Sequence, residues 1–341
     1  MSATPPHPPF DPELAAALAR SAMPATITAD MIPARRSAAR GITDEALATL
    51  GLGAREVRIA GFEGGGVDLT VVEPTEPSGV GFLFLHGGGM IGGDRRAFPA
   101  LLLRWASELG AVVVGVGYRL APEHPDPIPV EDCFAALEWT VAHTAELSIR
   151  PDRLVVAGTS AGGGLAAGTA LLARDRGGPR IAALLLTSPM LDDRDRTVST
   201  QQIDGVGVWD RTSNVTGWTA LLGDRRGGDD VSIYAAPARA GDLAGLPPTY
   251  LDCGSSEVFR DEDVAFASRI WAAGGRAELH VWPGAFHAFD SIAPDATLTK
   301  QAIAARDGWL VRTLAEQHPR STEAENTTAA GAPAPGTGTG S

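Results

Sequence analysis

The sequence predicts an α/β fold, with an eight-stranded, mostly parallel sheet, helices on both faces and a helical cap. Three observations point to it. From residue 57 onward, short runs of β-branched and other apolar residues alternate with helical stretches, the pattern of parallel strands buried on both faces. The first runs follow one another with no helix between them, so the sheet should begin with an antiparallel edge. One stretch, residues 192–244, breaks the alternation: it is polar, glycine-rich and punctuated by Trp209, Trp218 and Tyr234, and its place between two core strands suggests an inserted cap.

The strands are expected at 57–62, 67–72, 80–85, 112–116, 154–157, 182–186, 249–252 and 277–281, and helices at 98–109, 130–143, 161–173, 258–273 and 297–314. Ahead of these, Asp11 and Pro12 read as the N-cap and first residue of a short Ala/Leu helix continuing over 13–22. The expected organisation is an N-terminal cap segment over 1–52, a catalytic domain over 53–320 with its cap insertion at about 192–244, and a tail over 321–341. That tail is rich in Thr, Ala, Gly and Pro, a composition that cannot build a core, and is expected to be disordered.

Bulk properties narrow the chemistry. With 341 residues, 44% of them hydrophobic and 20% charged, the chain has the composition of an ordinary globular protein with ample apolar surface to bury. A formal net charge of −13 opposes a polyanionic partner, so nucleic acid is excluded as the expected ligand. No stretch approaches the roughly 18 uninterrupted apolar residues of a membrane span. Residues 1–11 are proline-rich, with neither a basic start nor an apolar core of a secretory signal, and a cytoplasmic location is expected. Cys133 and Cys253 give no disulfide framework and no metal-ligand cluster; they read as buried thiols.

The most specific local signal is Gly158-Thr159-Ser160-Ala161-Gly162, preceded by an apolar strand and followed by a helix of small residues. A serine on a tight strand-to-helix turn needs glycine on both sides, because the backbone is strained and a neighbouring side chain would collide there. The second signal is His86-Gly87-Gly88-Gly89, directly after the strand at 80–85. Consecutive glycines let backbone N–H groups converge on one point, which is how a developing oxyanion is stabilised. Gly88 and Gly89 are the expected donors, with the N–H of Ala161 as the third, and His86 is expected to hold the loop by a hydrogen bond.

A serine hydroxyl is a weak nucleophile and needs a positioned base, itself oriented by an acid. In this kind of fold the chain order is serine, acid, histidine. Three histidines follow Ser160: His280 lies within a strand and His318 near the tail, whereas His287 falls in the loop 283–289 after the last strand, where a base reaches the C-terminal edge of the sheet. The acid is less sharply placed, because Asp252, Glu257, Asp261, Glu262 and Asp263 crowd one segment. The loop position of Glu257 suits a carboxylate that bends back toward His287, while Asp261, Glu262 and Asp263 suit the first turn of a helix.

These motifs together resemble the hormone-sensitive-lipase-like bacterial esterases, family IV of the α/β-hydrolase superfamily. The resemblance rests on His86-Gly87-Gly88-Gly89, on Tyr118-Arg119-Leu120-Ala121-Pro122-Glu123-His124-Pro125, on the Gly158-Thr159-Ser160-Ala161-Gly162-Gly163 elbow, and on Glu257-Val258-Phe259-Arg260-Asp261-Glu262 followed by His287, and it spans residues 57–314. Thr159 stands where many members have Asp, which matches the branch with a Gly-Thr-Ser-Ala-Gly elbow. The segment 257–262 resembles the family's acid motif, commonly Asp-Pro-Leu-Arg-Asp-Glu, and so implies Glu257 as the acid, with Glu in place of the commoner Asp. The run from Tyr118 resembles a motif of structural role, with Arg119 and Glu123 expected to pair behind the active site.

The resemblance implies a carboxylesterase acting on short- to medium-chain esters through Ser160, His287 and Glu257, with no metal or organic cofactor and a small-molecule ester as partner. It places the family's lid on the N-terminal segment and the insertion. Met90, Trp209 and Trp218 either line an acyl or alcohol pocket or pack the lid onto the core. Similar enzymes often dimerise, so a homodimer is among the arrangements it implies. Other outcomes of the same triad are an acyltransferase, an amidase or a natural-product deacetylase; a non-catalytic ligand-binding member is disfavoured by retention of all three residues.

Overall fold

In a computed structural model of the chain, residues 5–316 are described. The tail at 321–341, His318 and residues 1–4 lie outside the described residues. Eight strands form one sheet: β1 (Leu52–Ala60), β2 (Gly66–Pro74), β3 (Gly81–Leu85), β4 (Val112–Gly117), β5 (Leu154–Thr159), β6 (Ala183–Thr187), β7 (Thr249–Gly254) and β8 (Ala277–Trp282). Their order is β1-β2-β4-β3-β5-β6-β7-β8. β1 and β2 pair antiparallel, as do β2 and β4, and every later pairing is parallel. The antiparallel edge and parallel body agree with the expectation from the helix-free start of the sheet.

The helices are α1 (Pro12–Arg20), α2 (Ile32–Ala38), α3 (Asp44–Thr49), α4 (Ala100–Leu109), α5 (Ile128–Ala142), α6 (Ala161–Asp175), α7 (Val198–Gln202), α8 (Arg211–Leu222), α9 (Arg260–Ala272), α10 (Phe289–Ile292) and α11 (Thr297–Glu316). Among the described residues none is long and apolar enough to cross a membrane. Asp11 caps α1 by accepting from the Glu13 and Leu14 amides. The helix stops at Arg20, sooner than its Ala-rich sequence suggests, and the chain is extended at Ser21, shortly before Pro24.

Alternation along the strands builds two apolar layers. Leu83, Leu85, Val114 and Val156 face one side, joining Val130 and Leu137 of α5 and Leu165 of α6. Phe82, Phe84, Val113 and Val155 face the other, against Leu102 and Trp105 of α4 and Trp309 and Leu310 of α11. With both faces covered, the central strands are apolar throughout, which is why they are legible as unbroken runs. A third cluster joins Leu14 of α1 to Phe286 and Phe289 beside the last strand. Both cysteines are buried and free.

The segment 192–244 leaves the sheet after β6, and its α-helical parts are α7 and α8. The N-terminal segment lies against it. The Thr26 hydroxyl donates to Asp210 (2.5 Å), the Ile27 amide to Ser213 Oγ (2.7 Å) and Gln202 Nε2 to the Pro6 carbonyl (2.7 Å). α2 is held by Arg36, whose guanidinium donates to the Ile91 and Ala121 carbonyls and to Glu123 (2.7, 2.5 and 2.8 Å).

Those contacts correct one expectation. Arg119 does not pair with Glu123. It donates to both oxygens of Asp132 (2.8 and 2.7 Å), a fully buried carboxylate on α5, while the largely exposed Glu123 takes Arg36. A carboxylate without access to water is the one that requires a cation, so burial, not closeness in sequence, decides the pairing.

Candidate active site

The elbow forms where β5 turns into α6. Ser160 sits at φ 59° and ψ −124°, a conformation uncommon for a residue with a side chain and held here from both sides. Its amide donates to the Thr187 carbonyl (2.8 Å) and its carbonyl accepts from the Met190 amide (3.0 Å). Close packing of the elbow on β3 explains the glycine two residues on. A Cβ at Gly162 would lie 2.5 Å from the His86 carbonyl oxygen and collide with that of Leu85.

Beside the serine runs the loop after β3. Gly88 and Gly89 have φ of +123° and +67°, backbone conformations open to glycine and costly for other residues. Their amides, and that of Ala161, donate to no protein acceptor among the described residues. His86 is buried and braces this loop. Its Nδ1 donates to the Gly87 carbonyl (2.8 Å), its ring stacks on Tyr118 at 4.3 Å, and the Tyr118 hydroxyl donates to the His86 carbonyl (2.8 Å). Burial pushes the imidazole down to about 4, against the opposing pull of the Gly87 carbonyl and Asp94, so it is neutral near pH 7.

His287 arrives on the loop after β8, in contact with the elbow. Its Nε2 is 2.9 Å from Ser160 Oγ. Its Nδ1 faces Glu257 Oε1 across 3.6 Å, longer than a hydrogen bond, and neither atom has another partner. Glu257 is fully buried; its other oxygen accepts from the Ser188 hydroxyl (2.8 Å) and the Gly254 amide (3.1 Å). The Phe259 and His287 rings meet edge to face, with centroids 5.2 Å apart.

Three of the remaining carboxylates of that segment, Asp252, Asp261 and Glu262, are engaged elsewhere. Asp252 takes Arg306 through both oxygens (2.8 and 3.2 Å) as well as the Trp282 indole N–H. Glu262 accepts from the Leu191 and Asp192 amides, and Asp261 from the Ser199 amide. Asp263 is buried, and burial, reinforced by the nearby Glu257 and Glu262, holds its carboxyl well above the usual carboxylate range. His280 lies within β8, against Glu278 and stacked on Trp282.

Met90, Trp209 and Trp218 are all buried and belong to the main apolar cluster. Trp209 presses on the loop after β3: a Cβ at Gly89 would be 2.7 Å from its Cζ2. The guanidinium of Arg35, on α2, lies 5.8 Å from the centre of the same ring. Met90 directly follows Gly89 and takes φ 60°. Ser188 and Phe259, which touch Glu257 and His287 respectively, escape sequence reasoning, since a serine before a proline and an aromatic residue two positions after an acidic one carry no distinctive pattern. Among the described residues no cluster of His, Cys, Asp and Glu is arranged to hold a metal ion.

Residues 82–291 match a family model described as alpha/beta hydrolase fold. Over 218 residues the chain is 36% identical to carboxylesterase NlhH of Mycobacterium tuberculosis, a match covering 62% of this chain and 66% of that protein. The chain thus spans just under two thirds of the length of that curated relative. Over 88 residues it is 43% identical to human hormone-sensitive lipase, covering 26% of this chain and 8% of that protein. Among solved structures, a bacterial heroin esterase superposes with a TM-score of 0.81 at 40% identity, covering 89% of this chain and 98% of that one.

Proposed function

The chain belongs to the α/β-hydrolase fold and to its hormone-sensitive-lipase-like family IV, and from that premise we propose that it hydrolyses carboxylic esters of short to medium acyl chain. The observation that carries the reading is the contact of His287 Nε2 with Ser160 Oγ at 2.9 Å, with Glu257 behind the imidazole. His287 takes the serine proton as Oγ attacks the ester carbonyl, then returns a proton to the leaving alcohol. A second cycle with water as nucleophile releases the acid. Glu257 orients the imidazole and stabilises its charged form; the 3.6 Å gap is the distance that closes as positive charge develops on His287. The amides of Gly88, Gly89 and Ala161, spare among the described residues, are the donors for the oxyanion.

The scheme calls for no metal or organic cofactor. Ser160 and His287 are only 5% and 6% exposed, and the N-terminal segment and the insertion meet each other through Asp210 and Ser213, which supports their reading as a cap over a site for small esters. Met90, next to Gly89 in the glycine loop, and Trp209 of the insertion, packed against Gly89, are the residues expected to touch an acyl or alcohol group. An acceptor other than water would make the same triad an acyltransferase.

The test is a panel of p-nitrophenyl esters of increasing chain length, matched amides and added alcohols, together with fluorophosphonate labelling. Ester turnover should exceed amide turnover, the label should fall on Ser160, and Ser160→Ala should lower kcat/KM by at least about 10⁴-fold while leaving the fold intact. An unlabelled Ser160 in the folded protein would remove the hydrolase reading.

A further inference from the structure

The turn of residues 187–190 touches both ends of the proposed triad without belonging to it. Its Thr187 carbonyl accepts from the Ser160 amide and its Met190 amide donates to the Ser160 carbonyl, so the nucleophile's own peptide groups are read by this turn. Pro189 in the same turn packs on the elbow, where a Cβ at Gly163 would lie 2.8 Å from the proline Cβ. Ser188 between them is buried and takes φ 44°, the left-handed region that a residue with a side chain adopts at a cost. The conformation is imposed by surrounding bonds, including donation from the Ser188 amide to the Asp252 carbonyl on β7 (2.7 Å). Its consequence is that the hydroxyl points at Glu257 and donates to Oε2 at 2.8 Å.

Glu257 needs such a partner. It is fully buried, and a carboxylate without access to water must find its hydrogen-bond donors within the protein. Among the described residues Oε2 receives two donors, the Ser188 hydroxyl and the Gly254 amide, whereas Oε1 is left with His287 Nδ1 alone in front of it. A carboxylate fixed through one oxygen has its rotation stopped, so the other oxygen is presented in a single direction.

We infer that Ser188 is a positioning residue for the triad: its hydroxyl locks Oε2 of Glu257, which leaves Oε1 aimed at His287 and keeps acid and nucleophile in register through one strained turn. This rests on the reading of Glu257 as the acid. Ser188 touches neither the nucleophile's hydroxyl nor the base, and acts through Glu257.

The experiment is steady-state hydrolysis of a p-nitrophenyl ester by the full chain, its Ser188→Ala and Ser188→Gly variants, and Ser188→Ala in a Glu257→Gln background. Loss of one hydrogen bond to a buried carboxylate should lower kcat by about 10- to 100-fold, with KM changed less than about twofold, because no substrate contact is removed. Glycine is at home at positive φ. Ser188→Gly therefore deletes the hydroxyl without straining the turn, and should lose as much kcat as Ser188→Ala even if the alanine variant folds poorly. In the Glu257→Gln background the serine substitution should cost little more, since its effect passes through the carboxylate. Unchanged kcat in folded Ser188→Gly, or an equal loss with and without Glu257, overturns the inference. A parent protein that hydrolyses no ester fails at the triad itself, a distinct result that takes this inference with it.

Discussion

The floor of the site and the segments proposed to cover it are held by different kinds of bond. On the floor, backbone meets backbone: Ser160 with Thr187 and Met190, Ser188 with Asp252, Ser256 with Ala285. In the covering segments, side chains do the holding: Asp210 with Thr26, Arg36 with Ile91 and Ala121, Arg239 with the fully buried Asp193 (2.6 Å). Peptide groups are the same whatever the residue, so the floor constrains sequence mainly through size, where glycine alone fits. The cover constrains it through particular polar side chains far apart in the chain. Damage to the floor should therefore appear first in catalysis, and damage to the cover first in stability.

The sharpest probe of the floor is Gly162→Ala. The added methyl group meets the carbonyls of Leu85 and His86, so β3 and the elbow must separate, and with them the spare amides and Ser160. A displacement of about 1 Å at a reacting group costs on the order of 10²-fold. With the donors displaced too, kcat/KM should fall about 10³-fold, while overpacking costs about 3 kcal/mol of stability. An alanine variant of near-normal activity would show that the elbow and the glycine loop are not in rigid contact.

His86 links floor to pH. Its folded value of about 4 lies below the ordinary 6.5, so the unfolded chain binds a proton that the folded chain refuses. The contribution of His86 is complete above about pH 6.5 and is lost as pH falls toward 4, a loss reaching about 3 kcal/mol at the lower end. Denaturant unfolding of the parent and of His86→Gln across that range checks it. The parent should show the steeper decline on acidification, and parallel curves would deny the buried imidazole this role.

The same division decides what the sequence discloses. The central strands are readable because burial on both faces turns them into apolar runs, and the elbow and the loop after β3 because their packing admits only glycine; the edge strand β1, only partly buried, starts at Leu52, five residues before the expected run. The acid was ambiguous among five carboxylates for a reason of the opposite kind: Asp252 is withdrawn by Arg306, 54 residues later, and Glu262 by the Leu191 and Asp192 amides, partnerships that no local spacing encodes. The resemblance of residues 257–262 to a known motif, not physical chemistry, singled out Glu257. Arg119 misleads for the same reason, since its partner Asp132 lies 13 residues on, on α5, and not four. Ser188 was silent because its role comes from a backbone angle that the surrounding bonds impose.

Asp210 tests the cover on its own terms. It is fully buried, far from the reacting atoms in sequence, and satisfied by four donors: the Ser213 amide and hydroxyl on Oδ1 (2.8 and 2.7 Å), and the Thr26 hydroxyl and Gly205 amide on Oδ2 (2.5 and 2.9 Å). It thereby caps α8 and ties that helix to the N-terminal segment. Asp210→Ala strands those donors and should cost about 2 kcal/mol by loss of the cap and of buried hydrogen bonds. Asp210→Ser keeps an N-cap oxygen for α8 but cannot reach both Thr26 and Gly205, so it should recover part of that stability and leave the N-terminal segment loose. Thermal unfolding measures the first effect, and limited proteolysis near residues 20–30 the second. In both variants kcat of the folded protein should fall less than about tenfold, because no bond on the floor is altered. If Asp210→Ala instead removed activity as thoroughly as Gly162→Ala while stability held, the cover would have to be counted as part of the catalytic floor, and the distinction between the two regions would collapse.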